Sequence, residues 1–136
     1  MPEAVIVAAV RTAIGTSFKG TLANTPALDL ADAVVAEVVQ RSGFDPALID
    51  DVILGEVNQG GGNIARHAAV RTGITSAPGL SHNRQCASSL SAISTAAAGI
   101  LAGMDDAVIA GGAESCSTPP KNCSRAISSP IVCADS

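Results

Sequence analysis

The stretch HNRQCASSLSAISTAAAGILAGMDDAVIAGGAES, residues 82–115, decides the fold. Between 87 and 102, Leu90, Ile93, Ala97 and Leu101 fall on one helical stripe, and the rest is almost wholly Ser, Ala, Thr and Gly. A helix so small and apolar all round has little wet surface and is expected between layers, where neighbouring backbones approach closely. Residues 105–110 then read as a strand built on AVIA. That strand ends in Gly111 and Gly112, which permit tight backbone approach or a positive φ.

Working back toward the N-terminus, the same alternation repeats. Residues 4–10, AVIVAAV, form an unbroken apolar run, the pattern of a strand covered on both faces in a parallel sheet. A helix follows, with Thr25 expected as N-cap, Pro26 in the first helical position, and Leu28, Ala31, Val35 and Val38 on one face. Gly43 stops it, and Asp45-Pro46 begins a short helical turn before a second apolar strand at 52–57, VILGEV. The run GGGN at 60–63 is a loop ending in an N-cap, residues 64–72 form a helix closed by Gly73, and a weaker strand lies near 79–82. Strands and helices alternating at this length imply βαβ units, an α/β fold with a largely parallel sheet and helices on both faces. Beyond Ser115 the pattern dissolves, and PPKNCSRAISSPIVCADS carries three prolines and no period.

Composition narrows the function. At 136 residues the chain is of single-domain length, and its 47% hydrophobic content is Ala- and Val-rich, with no Trp or Tyr, so the core must come from close backbone packing. A net charge of -4 offers no basic patch for nucleic acid. No apolar run reaches the roughly 18 to 20 residues of a membrane span, and no basic region precedes residues 4–10, so a cytoplasmic location is expected. Cys86, Cys116, Cys123 and Cys133 include no CxxC and no His at ligand spacing, so neither zinc nor a disulfide framework is expected. The triple glycine at 60–62 lacks both the GK[ST] ending and the GxGxxG spacing of nucleotide loops.

Chemistry concentrates on Cys86, immediately before the helix at 87–102. Unpaired N–H groups and the positive end of the helix dipole favour anionic sulfur there. Those N–H groups, the Cys86 N–H among them, can also donate to a carbonyl oxygen that becomes an oxyanion when a thiolate adds. The bland alternative, a small apolar residue at a crowded helix start, is the ordinary state of a free cysteine. Glu114 and Ser115 follow the last strand at the carboxyl end of the sheet, where α/β proteins place their sites. They either hold the Cys86 loop by hydrogen bonds or cap a turn. His67 reads as a partly exposed helix residue, and His82 as belonging to a strand end or a subunit contact.

HNRQCASSLSAI at 82–93 resembles the active-site segment of the thiolase family, in which N-[RK]-x-C-[AS]-S-G opens a buried helix. Three further blocks resemble the family in order: VIVAAVRTAIG at 5–15, DDVILGEVNQGGGNIARHAAVRTGI at 50–74, and AVIAGGAESCSTPP at 107–120. Ala13 stands where proline is common, Ser89 at the usual glycine and Cys116 at the usual methionine. The resemblance implies a thiolase-like N-terminal half, incomplete, with residues 1–120 as a partial domain and 121–136 as an irregular tail or the start of a loop domain. It implies that Cys86 accepts the acyl group of an acyl-CoA or 3-oxoacyl-CoA, giving a Cys-linked acyl-enzyme. It also implies coenzyme A thioesters as substrates rather than bound cofactors, no metal, a homodimer or homotetramer, and a place in fatty acid metabolism. The family's G-H-P histidine and C-x-G cysteine have no counterpart here: the other cysteines occur as CST, CSR and CAD, and neither His lies in G-H-P. The alternative to an acyltransferase is therefore a non-catalytic remnant or subunit-interaction fragment, and a third reading is a thiol-reactive redox protein.

Overall fold

The computed structural model describes residues 3–59 and 62–120. Among these residues, short apolar runs bounded by turn residues become three strands, β1 (Asp51–Gly55), β2 (Leu80–His82) and β3 (Val108–Gly112). They pair in parallel in the order β2-β1-β3, with Ile53 opposite Leu80 and opposite Ala110, and Gly55 opposite both His82 and Gly112. Among the described residues three α-helices surround them: α1 (Ala27–Ser42), α2 (Ile64–Arg71) and α3 (Ser88–Leu101). The chain steps from β1 to β2 through α2, then back past β1 to β3 through α3. Crossovers of one hand running in opposite directions put their helices on opposite faces.

The side-chain period of two divides the core accordingly. Val52 and Leu54 point to one face, packed with Ile64, Ala65, Ala68 and Ala69 of α2 and with Ala27, Ala31 and Val35 of α1. Ile53 points to the other, against Ala92 and Ala96 of α3. β1 is thus buried on both sides, which accounts for its unbroken apolar sequence.

Local chemistry sets the boundaries. Asp45 caps the short helical turn Pro46–Leu48 by accepting from the Ala47 N–H at 2.9 Å. Asn63 caps α2 by accepting from the Arg66 N–H at 2.9 Å. Gly43 ends α1 in the left-handed region at φ 72, its N–H donating to the Val39 carbonyl.

Four expectations from the sequence are corrected. Residues 4–10 form no strand: they join none of the three paired strands, and Val5, Ile6 and Val7 are largely exposed. An apolar run says that a segment favours cover and leaves open which edge it pairs with. α1 has Pro26, not Thr25, as its N-cap, and its buried stripe is Ala27, Ala31 and Val35, while Leu28 is exposed and Val38 only half-buried. α3 is covered on one side only, where burial nearly all round was expected. Ser88, Ser91, Ala92 and Ala96 face the sheet, whereas Leu90 and Leu101 are 67% and 55% exposed. The cause lies underneath, where Gly55 and Gly112 leave room only for small residues. Finally, Gly112 is the glycine of the pair that close approach requires, since a Cβ at Gly111 would meet only Leu54 Cδ2 at 3.8 Å. The expected tail at 121–136 lies outside the described residues.

Candidate active site

The strand order reverses beside β1, so the carboxyl ends of β1 and β3 open into a crevice of the kind in which α/β sheets hold ligands. The crevice is a cleft of about 380 Å³, lined by Gly55 to Asn58 after β1, Gly112 to Glu114 and Cys116 after β3, and Gln85, Cys86, Ser88 and Ser89 at the start of α3.

Two glycines bring α3 down onto the sheet. A Cβ added to Gly55 would lie 2.5 Å from the Ser88 carbonyl carbon and 2.7 Å from the Ser89 nitrogen. One added to Gly112 would meet the Ser89 hydroxyl and, at 2.8 Å, the Gly55 carbonyl oxygen. The Ser89 side chain therefore occupies space that Gly112 leaves empty.

Cys86 is exposed at the cleft, two residues before α3 begins. The surrounding loop is tied by its own polar groups. Ser88, buried, accepts from the Arg84 N–H at 2.8 Å and donates to the Gln85 carbonyl at 2.6 Å. Asn83 Oδ1 accepts from the Gln85 N–H at 2.8 Å, and His82 Nε2 lies 3.2 Å from the Ser88 carbonyl oxygen. Gln85 is held at φ 52, a left-handed conformation uncommon for a residue with a side chain. These bonds leave one donor aside: among the described residues, the Cys86 N–H has no acceptor. Ala87, the N-cap of α3, supplies no side-chain cap, and the Ala87 and Ser88 N–H groups donate to the Arg84 and Gln85 carbonyls at 3.1 and 3.0 Å, which leaves the N–H of Cys86 itself as the unpartnered donor of this turn. A thiol with its own N–H unpartnered at a helix start suits addition to a carbonyl, with the new oxyanion taken up by that N–H.

Glu114 and Ser115 do not hold the Cys86 loop. Glu114 Oε2 accepts from the Val57 N–H at 2.9 Å and the Asn58 N–H at 3.3 Å, and Oε1 accepts from the Gln59 amide. It braces the loop after β1 and reaches the Cys86 segment only through Asn83 Nδ2, which donates to the Val57 carbonyl at 3.4 Å. Buried Ser115 donates to the Thr25 carbonyl at 3.0 Å and fastens the end of β3 to the start of α1. His82 terminates β2, while His67 lies 3.6 Å from Asp32 in the α1–α2 contact.

Three residues of the cleft escaped sequence reasoning. Ser88 looks like any helix serine until its loop is seen. Glu56, just past β1, is half-buried, and that burial pushes its carboxyl above the ordinary value. Hydrogen bonds from the Ile64 N–H and the Ser81 hydroxyl oppose the rise, and repulsion from Glu114 adds to it. Its place at the carboxyl end of a strand was the available signal. Cys116 is exposed and lines the same cleft as Cys86. Among the described residues, no three His, Cys, Asp or Glu side chains gather as metal ligands would, and no helix is long and apolar enough to cross a membrane.

Fold and cleft together define a doubly wound α/β domain with a thiol at its switch point. Known proteins make the class specific. The family described as thiolase, N-terminal domain, matches residues 4–135. The acetyl-CoA acetyltransferase of Pseudomonas aeruginosa is 41% identical over 123 residues, covering 88% of this chain and 31% of that protein. Its namesake from Chromobacterium violaceum is 45% identical over 121 residues, with 87% and 31% covered. The crystal structure of the Bacillus anthracis acetyl-CoA acetyltransferase superposes with a TM-score of 0.84 at 41% identity, covering 88% of this chain and 31% of that one. The chain belongs to the thiolase family. It spans about a third of the length of these relatives.

Proposed function

We propose that this chain carries the nucleophile of a thiolase-type acyltransferase, with Cys86 as the acyl-accepting residue. One observation carries the reading: an exposed thiol beside the uncapped N-terminus of α3, facing a cleft at the carboxyl ends of β1 and β3. Sulfur adds to the thioester carbon of an acyl-CoA, or to the C3 ketone carbon of a 3-oxoacyl-CoA, and that carbonyl oxygen becomes an oxyanion that the Cys86 N–H receives. From an acyl-CoA, collapse breaks the carbon–sulfur bond and coenzyme A leaves as a thiolate that takes up the proton lost by Cys86; from a 3-oxoacyl-CoA, collapse breaks the C2–C3 bond and acetyl-CoA leaves as an enolate that takes up that proton at C2. Exchange of one thioester for another needs little driving force, so the gain comes from oriented donors, each commonly worth about 10²- to 10³-fold in rate. The relatives named acetyl-CoA acetyltransferase support coenzyme A thioesters as the substrate class. A homo-oligomer acting in fatty acid metabolism in the cytoplasm completes the proposal. Supporting roles pass from direct contact to bracing, with Glu114 holding the 57–59 loop and Ser115 the base of α1.

A second reading, a subunit-interaction fragment without turnover, is favoured by the exposed apolar residues of α3. Incubation with acetyl-CoA and with acetoacetyl-CoA, followed by peptide mapping, separates the two. Acylation at Cys86, lost in Cys86→Ala, supports acyl transfer. A folded chain that acquires no acyl group at Cys86 overturns it.

A further inference from the structure

Cys116 occupies the position where the family usually has methionine, and the fold turns it into the cleft that holds Cys86. Both thiols are exposed, and both belong to the lining of this one cleft. Ser89, three residues after Cys86, packs directly on Gly112, four residues before Cys116. Both supporting segments are pinned: Ser88 ties the 84–88 loop, while Ser115, bonded to the Thr25 carbonyl and to the Thr118 hydroxyl, fixes the turn at 116–118.

We infer that Cys86 and Cys116 form a peroxide-sensitive dithiol pair, in which Cys86 is oxidised and Cys116 resolves it as an intramolecular disulfide. The co-reactant is a small hydroperoxide. Cys86 sulfur attacks one peroxide oxygen, the O–O bond breaks, and the other oxygen leaves as alcohol or water after taking up a proton. Cys86 has then lost two electrons to become a sulfenic acid, and the peroxide has gained them. Cys116 sulfur next attacks Cys86 sulfur, forming S–S and breaking S–O. Hydroxide departs and takes the Cys116 proton to leave as water. A disulfide needs Cα atoms within about 7 Å, so the bridge ties the Cys116 turn to the 83–87 loop across the mouth of the cleft. While the bridge stands, Cys86 cannot be acylated, and a dithiol reductant releases it. The pairing goes beyond the acyl-transfer proposal and does not depend on it, because peroxide and not a thioester is the electrophile.

The test uses the full chain, with its fold verified by circular dichroism, and equimolar hydrogen peroxide. Free thiols are blocked with N-ethylmaleimide, and the protein is digested without reduction. The expected product is a peptide linking Cys86 to Cys116, together with loss of Cys86 alkylation by iodoacetamide that dithiothreitol restores. In Cys116→Ser, Cys86 should instead accumulate as a sulfenic acid trapped by dimedone. The inference is overturned if Cys86 in the unmodified sequence pairs with Cys123 or Cys133, or reaches sulfinic acid while Cys116 remains alkylatable. Mapping of the unmodified chain decides this without any variant. Failure of acyl transfer would appear separately, as no acyl group at reduced Cys86.

Discussion

Replacing Gly55 by Ala tests whether close packing at the sheet's carboxyl edge positions Cys86. The new Cβ would fall 2.5 Å from the Ser88 carbonyl carbon, 2.6 Å from Ser88 Cβ and 2.7 Å from the Ser89 nitrogen. Ordinary contact begins at 3.4 Å, so the start of α3 must lift by about 0.9 Å. What blocks the methyl is largely backbone, which no rotamer change can move aside. Overpacking of this kind costs about 1–3 kcal/mol, a large share of the stability of a domain this size. The lift also strains the Ser88 bonds to Arg84 and Gln85, and with them the placement of Cys86. Gly111→Ala is the internal control: it lies on the neighbouring strand, but its methyl would meet only Leu54 Cδ2 at 3.8 Å. Urea unfolding at constant m should place Gly55→Ala well below the parent and Gly111→Ala within about 0.5 kcal/mol of it. Iodoacetamide labelling of Cys86 should change only in Gly55→Ala. Equal stability of Gly55→Ala and the parent, or equal loss in both variants, would refute the reasoning.

Three further outcomes are expected. Glu114→Ala removes the acceptor for the Val57 and Asn58 N–H groups and should cost about 1–3 kcal/mol locally, read as faster amide exchange at those two residues; unchanged protection there would dismiss the brace. Glu56 has its folded-state carboxyl raised by burial, so the native state binds the proton more tightly than the unfolded chain does. Stability should therefore fall as pH rises from 4.5 through that raised value, and Glu56→Gln should flatten the fall in urea midpoints; a parent that gains stability across that window argues the reverse. Asp50 is held below its ordinary value by the Ala107 and then the Asp106 N–H groups, so its contribution is present above pH 3.8 and lost as pH falls through the lowered value. Because Asp50 is solvent-screened, Asp50→Ala should cost only about 0.5–1 kcal/mol at neutral pH and lose its effect in acid, and a constant difference across pH would exclude the charge as its origin.

Much of the architecture was legible because local chemistry and global fold agree. Asp45-Pro46, Asn63, Gly43 and Gly73 each mark a boundary near where it occurs, and VILG announces a strand buried on both faces. The place of residues 4–10 and the open side of α3 were not legible, for related reasons. Apolar composition reports a preference for cover but not its location, and a helix small and apolar nearly all round gave no sign of which side would stay wet. The sheet beneath α3 ends in glycines and admits only Ser and Ala. Cys86 could be read from its neighbours, since its environment is local to a helix start. The roles of Glu114, Ser115 and Ser88 could not, because Glu114 and Ser115 bond to partners dozens of residues away and Ser88 bonds within a turn whose shape depends on Gln85 at positive φ.

The outward side of α3 has a thermal consequence. Leu90, Ile93, Leu101 and, just beyond the helix, Met104 present apolar surface to water. Covering one such side chain fully is worth about 1.5–3 kcal/mol near room temperature, by a driving force that weakens on cooling and strengthens with excluded salts such as sulfate. Solutions of this chain should therefore be more monodisperse in the cold room than at the bench, and ammonium sulfate should drive association before it disturbs the fold.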